Sequence, residues 1–414
     1  MSSDDDVWSE RSDAERRLEV RFDGFATKLL RRLLGELEHG TLIVTLPSGA
    51  VIECRGQSPG AEVHVTLHRW RALRRLILAG DLGFAEGYME RDWSTSNLVA
   101  LLEFFLRNET AIEAAWRGLP LARLAGRLHH LTRSNTRNGS RRNIEAHYDL
   151  GNAFYAAWLD QGMNYSSALY ASPAISLEEA QIAKLDAAIA LLGPRSGQRV
   201  LEIGCGWGAL AERLVTQYEC SVTGITLSRE QQAYAARRLQ RAGSNDLATI
   251  KLQDYRDVQG QFDSIVSIEM LEAAGEAYWP VFFARLRDLL VAGGRALLQV
   301  ITIDEARFDA YRQRPDFIQR YIFPGGMLPT RAIIAEQAAA AGLKLQSCRL
   351  FGDSYARTLG EWHARFSRSA PLSEAMHLGS ERFRRMWSYY LAYCEVGFRT
   401  GALNVGLYQI ARAG

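Results

Sequence analysis

Gly204, Gly206 and Gly208 close the stretch Arg199-Val-Leu-Glu-Ile-Gly-Cys-Gly-Trp-Gly208, with Glu202 just ahead of them and an amphipathic run behind. Residues of these types at this spacing can bind a ligand, although many doubly wound α/β proteins carry such a turn. Glycine lets the backbone take positive φ and approach a molecule closely, and a helix start offers unpaired N–H groups to its polar end. A second carboxylate, Glu272, lies just past the apolar run Phe262–Ile268. That is the edge at which open parallel sheets hold ligands, although Glu272 could also cap a helix or pair near Arg285. No His, Cys and Asp grouping has metal-ligand spacing, so no metal is expected.

Such residues need a strand, a turn and a helix to hold them, and the later chain supplies the pattern repeatedly. Apolar runs at Val200–Ile203, Ser221–Thr226, Ala248–Leu252, Phe262–Ile268 and Arg295–Ile301 alternate with helical spacing from Ala209, from Glu230 to Arg241 and through Phe283 to Leu290. This predicts a doubly wound α/β sheet, mostly parallel, with helices on both faces. A polar excursion from Asp304 to Thr330 follows, then a helix, a strand at Leu343–Leu350, a long helical stretch to Phe398 and a closing strand near Leu403–Ile410. A dinucleotide fold would want GxGxxG and an acid at the end of the second strand. Here that strand ends in Thr226-Leu227-Ser228, which argues against NAD.

With 414 residues, 47% hydrophobic and 23% charged, the chain can bury a full core and divide into domains. Residues 1–17 are too polar to offset the entropy of ordering and read as a disordered tail. Residues 18–113 read as a small α+β domain: short antiparallel strands at Leu42–Leu46 and Val63–Leu67, broken by Pro-Ser-Gly and Ser-Pro-Gly, then helical spacing at Leu73–Gly80 and Leu98–Leu106. Residues 114–144 contain no Asp or Glu before Glu145, while Arg117, Arg123, Arg127, Arg133, Arg137, Arg141 and Arg142 interleave with leucines. The segment is either a solvated linker or a membrane-surface segment, in which each Arg near anionic lipid contributes on the order of 1 kcal/mol. Nucleic acid is not expected as a partner at a sequence pI near 8.2 with no binding motif. The five widely spaced cysteines argue against disulfides and zinc, and fit a reducing cytoplasm. No apolar run reaches the roughly 20 residues that cross a bilayer.

Residues 145–414 resemble the cyclopropane-fatty-acyl-phospholipid synthases, a family of S-adenosylmethionine-dependent lipid methyltransferases, in motifs that recur in order from about Asn143 onward. The resemblance implies a Rossmann-like methyltransferase domain with a helical cap. Tyr165 and Ser166 match a cofactor-contacting pair, and Gly204, Cys205, Gly206, Trp207 and Gly208 match the glycine turn. Thr226, Leu227, Ser228 and Gln231 match the stretch that replaces the usual ribose-binding acid, and Asp254, Tyr255 and Arg256 match the segment lining the adenine.

For the chemistry, the resemblance implies attack by a cis alkene of a phospholipid acyl chain on the sulfonium methyl, then loss of one proton to a bound bicarbonate. Glu272 and Tyr355 match family residues that grip this ion, whereas Ser167 and Gln299 stand where Cys and His are usual, and Ala273 replaces another His. Ser and Gln can still donate to an anion. Cys394 matches a cysteine counted with the active site, but also reads as packing on an aromatic helix. The expected product is a cyclopropane or methyl-branched acyl chain, made by a cytoplasmic enzyme at the inner face of the membrane; a homodimer is left open. The alternatives are a small-molecule methyltransferase and a non-catalytic lipid- or cofactor-binding relative.

Overall fold

The computed structural model describes residues 37–117, 150–243, 246–369 and 380–413, with isolated positions between 24 and 34. The expected tail and nearly all of the basic segment 114–144 lie outside the described residues. The chain divides between Thr132 and Arg133 into two compact units.

In the first unit β1 (His39–Thr45), β2 (Val51–Arg55), β3 (Ser58–Leu67) and β4 (Trp93–Ser94) form a sheet in the order β2-β1-β3-β4. Helices α1 (Arg71–Met89), α2 (Leu98–Arg107) and α3 (Glu109–Arg117) complete it. Alternation does what was expected: Leu42, Val44, Val63, Val65 and Leu67 are buried and their neighbours face outward. The strand directions need a correction, because only β1 and β2 form an antiparallel hairpin, while β3 pairs parallel to β1, with Leu42 opposite Val63. After β2 the chain crosses the start of β1 at Gly56, whose N–H donates to the Gly40 carbonyl (2.7 Å). A Cβ on Gly56 would stand 2.8 Å from the His39 nitrogen, so only glycine permits the crossing. Ser58-Pro59-Gly60 therefore opens β3 rather than interrupting it. Helix α1 also runs past the expected stop at Gly80, which instead forms a kink (φ 55°, ψ −132°).

The second unit opens with α4 (Asn152–Ala156) and α5 (Leu177–Leu192), followed by β5 (Arg199–Ile203), α6 (Ala209–Tyr218), β6 (Ser221–Thr226), α7 (Arg229–Arg241), β7 (Ala248–Leu252) and β8 (Phe262–Ile268). Then come α8 (Leu271–Ala274), α9 (Trp279–Leu289), β9 (Leu290–Ile303), α10 (Glu305–Gln313), α11 (Arg331–Ala340), β10 (Leu343–Leu350), α12 (Gly352–Arg368), α13 (Glu381–Arg399) and β11 (Leu403–Arg412). The sheet order is β10-β11-β9-β8-β5-β6-β7. Strands β5 to β9 run parallel to one another, and β11 lies antiparallel between β9 and β10. This is the doubly wound α/β class expected. The central strands are covered on both faces, as Val200, Leu201, Ile265 and Leu297 at 0% exposure show, which is why they read as continuous apolar runs.

Between β5 and β8 the strand order reverses, and the C-terminal ends of the strands diverge there to leave a crevice. Two boundaries differ from expectation. Strand β9 begins at Leu290, ahead of Arg295, and the helical stretch to Phe398 is two helices, α12 and α13, with 370–379 outside the described residues. The polar excursion contains α10 and a π-helical turn at Ile318–Ile322.

Candidate active site

The glycine turn leaves β5 at the switch point, and all its glycines have positive φ: 81° at Gly204, 51° at Gly206 and 83° at Gly208. Each is required for a different reason. A Cβ on Gly204 would run into Met270, and one on Gly208 would lie 2.9 Å from Cβ of Ala235 in α7, whereas Gly206 faces open space with nothing within 4 Å. Gly204 and Gly206 line a cavity at the strand ends; Gly208 does not, and sits against Ala235 where α6 meets α7. Trp207 is buried and donates its indole N–H to Asn152 Oδ1 (2.7 Å), which ties α4 to the turn. Cys205 is buried in the cavity wall, and burial pushes its thiol pKa well up.

The cavity offers about 1240 Å³, its open mouth included. Its walls gather nearly the whole expected cofactor set. Tyr165 and Ser166 come from the loop before α5, Thr226, Leu227 and Gln231 from the β6–α7 junction, and Asp254, Tyr255 and Arg256 from the segment after β7. Asp160, 4% exposed, shapes the first loop by accepting from the Gly162 N–H, the Asn164 N–H and Asn164 Nδ2, each at 2.8 Å. Thr226 Oγ1 donates to Gln231 Oε1 (2.8 Å) and accepts from the Ser228 N–H (3.1 Å). Ser228 does not line the cavity and caps α7, its Oγ accepting from the Gln231 N–H (3.3 Å). Arg256 grips Asp254 through two bonds (2.8 and 2.5 Å), with its guanidinium 5.7 Å from the Tyr255 ring centre.

Deeper in the cavity lie charges that sequence reasoning did not assign. Lys184, 1% exposed, donates to Ser166 Oγ (2.8 Å), and Gln181 donates to the Ser166 carbonyl (2.8 Å). Burial draws the Lys184 pKa down to about 8 against the pull of nearby carboxylates, and pushes Glu202 up to about 8 against the pull of Lys184. One signal was available: Gln181 and Lys184, three apart, fall on the apolar face of α5 with Leu177, Leu185 and Ala188.

The most developed hydrogen-bond cluster centres on another residue not singled out, Glu269, just after β8. It lines the cavity, and its φ of 52° lies in the left-handed region that favours glycine. Its Oε1 accepts from the Ser167 N–H (2.9 Å) and from Gln299 Nε2 (2.7 Å), and its Oε2 accepts from the Tyr355 hydroxyl (2.7 Å). The Glu269 N–H in turn donates to the Gln299 carbonyl (2.8 Å). Burial raises the Glu269 carboxyl pKa, opposed by these three donors and by Lys184. Tyr355 is stacked on Phe398 at 4.4 Å, and burial beside this carboxylate holds its phenol pKa far above the ordinary value, so it remains a donor.

Ser167, Gln299 and Tyr355 are thus brought together as expected, but around Glu269. Ser167 contributes its backbone N–H, its hydroxyl being bonded to the Ala168 carbonyl (2.9 Å). Glu272 does not line the cavity: its Oε1 accepts from the Ile301 N–H (2.5 Å), its carbonyl accepts from the Met327 N–H (2.9 Å), and burial lifts its carboxyl pKa to about 8. The alternative pairing with Arg285 is not formed, since that guanidinium donates to the Val258 carbonyl. Cys394 on α13 has its thiol pKa pushed far up by burial, then by Asp316, which suits packing and not nucleophilic attack. The bicarbonate expectation also meets an obstacle, because the three donors that would hold an anion here already hold the Glu269 carboxylate. No group of His, Cys, Asp and Glu suited to a metal occurs among the described residues.

Comparison with known proteins places this geometry. The family model for mycolic acid cyclopropane synthetase matches residues 135–409. The chain is 40% identical over 359 residues to tuberculostearic acid methyltransferase UfaA1 of Mycobacterium tuberculosis, spanning 84% of this chain and 83% of that protein. It is 36% identical over 368 residues to the cyclopropane-fatty-acyl-phospholipid synthase of Escherichia coli, spanning 88% of this chain and 91% of that one. The solved structure of mycolic acid cyclopropane synthase CmaA1 with SAH and CTAB superposes with a TM-score of 0.61 at 32% identity, over 66% of this chain and 98% of that chain. With a switch-point cavity, a glycine turn and matches of this extent, the chain belongs to the mycolic acid cyclopropane synthetase family.

Proposed function

We propose that the protein is an S-adenosylmethionine-dependent methyltransferase that adds a one-carbon unit to the cis double bond of an unsaturated phospholipid acyl chain, giving a cyclopropane or methyl-branched chain. The observation that carries this reading is one cavity lined by the glycine turn, the acid-free end of β6 and a buried carboxylate held by three donors. The relatives named cyclopropane-fatty-acyl-phospholipid synthase and tuberculostearic acid methyltransferase point to lipid acyl chains as acceptors.

The cavity suits S-adenosylmethionine. Glu202 Oε2 is buried at the cavity without a protein partner, fitting a cationic ligand end, and Glu269 adds a second carboxylate. Gly204 and Gly206 let the backbone close on the amino-acid portion, Thr226 and Gln231 present a hydroxyl and an amide to ribose hydroxyls, and Tyr255 with Asp254 faces the base. When bound, the cofactor supplies an electrophilic methyl group on sulfur. Tyr165 lines the cavity, where its ring can favour cationic charge, and is backed by Tyr155 and Trp158 at 5.5 Å and Trp362 at 5.6 Å. Tyr165 is itself oriented by a hydroxyl contact with Tyr390 (2.9 Å).

In this reading the acceptor chain is approached from the membrane surface; no described helix is long and apolar enough to cross a bilayer. The Arg-rich segment 114–144 provides the anionic-lipid contact. Incubation with methyl-labelled S-adenosylmethionine and unsaturated phospholipid vesicles should place label in the acyl chain. Label absent from lipid but present on a small soluble acceptor would refute the assignment.

A further inference from the structure

We propose that Glu269 is a built-in general base that takes the place of a bound bicarbonate, so that turnover needs no exogenous anion. The inference rests on the functional reading above and deepens it.

Two independent observations support it. The first is occupancy by donors: the Ser167 N–H, Gln299 Nε2 and the Tyr355 hydroxyl all point at the Glu269 oxygens, at 2.7 to 2.9 Å. An added bicarbonate would compete for the same donors and would place a second negative charge against a buried carboxylate. The second is backbone conformation. Glu269 holds φ at 52°, where a residue with a Cβ costs about 1–2 kcal/mol relative to the right-handed region. That conformation sets the side chain in the cavity wall beside Met270 and Gly204, and strain of this kind persists where the surrounding structure over-determines it. Among the residues around the carboxylate, Gln299 and Tyr355 are donors that fix it without taking its charge. Lys184 is the cation nearest in effect, bonded to Ser166 and exerting only a minor pull.

The alkene π pair forms a carbon–carbon bond to the transferred methyl as the methyl–sulfur bond breaks, its electron pair leaving with S-adenosylhomocysteine. The acyl chain is left as a carbocation. Glu269 then takes one proton. If it comes from the new methyl group, the released C–H pair closes the three-membered ring; if from a chain carbon, the pair forms a new double bond beside a methyl branch. Glu269 ends as a neutral carboxylic acid and returns its proton to solvent.

The test uses the full chain in buffer purged of carbon dioxide, with labelled S-adenosylmethionine and dioleoyl phosphatidylglycerol vesicles. The wild type should turn over equally with and without added bicarbonate, and titration with carbon-13 bicarbonate followed by NMR should show no saturable binding. Glu269→Gln, which keeps the size and backbone of the residue, should lose about 10²–10⁴-fold in kcat while retaining wild-type affinity for S-adenosylhomocysteine. Bicarbonate dependence of the wild type, or saturable bicarbonate binding to it, would overturn the proposal without recourse to any variant. So would wild-type kcat in Glu269→Gln. A wild type that labels no lipid at all would instead refute the functional reading, and the base role with it.

Discussion

Alanine placed in turn at Gly204, Gly206 and Gly208 should separate ligand binding from stability within a single turn. All three residues have positive φ, so each alanine carries about 1–2 kcal/mol of left-handed backbone cost, offset by about 0.4–1 kcal/mol from a stiffer unfolded chain. At Gly206 nothing lies within 4 Å of the added Cβ, so the net loss of stability should be only about 1 kcal/mol. At Gly208 the added carbon meets Ala235 at 2.9 Å in a helix contact that cannot give easily, adding about 1–3 kcal/mol of overpacking. At Gly204 the collision is with Met270, on the cavity rim, and both penalties apply. Binding should follow a different order. A methyl on the cavity-lining Gly206, which meets no protein atom, should weaken S-adenosylhomocysteine at least tenfold, about 1.4 kcal/mol, whereas folded Gly208→Ala should bind nearly as the wild type. Urea unfolding and calorimetric titration at a temperature where all variants are folded read the two quantities separately. Wild-type affinity in Gly206→Ala together with lost affinity in folded Gly208→Ala would refute the assignment of roles.

Other perturbations act on the charges. Tyr355→Phe deletes the 2.7 Å hydroxyl contact to Glu269 and should cost about 1.5–3 kcal/mol, tenfold or more in rate. Losing a donor to the ionised form raises the Glu269 pKa further, so the acid limb of the pH–rate profile should move to higher pH; an unmoved limb would separate that limb from Glu269. Glu202 has a folded-state pKa raised by burial from 4.5 to about 8, so its contribution to stability is full below 4.5 and is lost as pH rises through 8. Glu202→Gln should flatten that part of the melting temperature curve of the unliganded protein; an unchanged slope between those pH values would count against the burial argument. Asp160→Ala removes three 2.8 Å bonds from the loop bearing Tyr165 and Ser166 and should cost about 1–3 kcal/mol in urea unfolding, with weaker cofactor binding in titration. A stable variant with intact affinity would show that the loop is held by its aromatic packing.

The sheet of the second unit could be read from the chain because its strands are buried on both faces and bounded by glycines and polar turns. The glycine turn and the acid-free end of β6 were legible for the same reason, as local spacings of residue types. Glu269 was not, because it follows an apolar run by a single residue and sits three before Glu272, and only the left-handed backbone at 269 decides which carboxylate turns into the cavity. Lys184 is not legible in the sequence because a lysine on a helix is ordinarily solvated, and its burial follows from which face of α5 meets the cavity. The parallel pairing of β1 with β3 turned on Gly56 crossing a neighbouring strand, a contact that alternation of side chains does not encode.

Strand β11 follows every other described strand in the sequence yet sits inside the sheet, pairing with β9 from Arg295 to Ile303 and with β10 on its other side. Until it arrives, β9 presents a long apolar edge and β10 has no partner in the sheet. Such an opening can recruit other chains, so a chain in which β11 has not yet seated is vulnerable to aggregation. Gln299 lies on β9 opposite Leu407 of β11, so the carboxylate cluster is not framed until the sheet has closed over its gap.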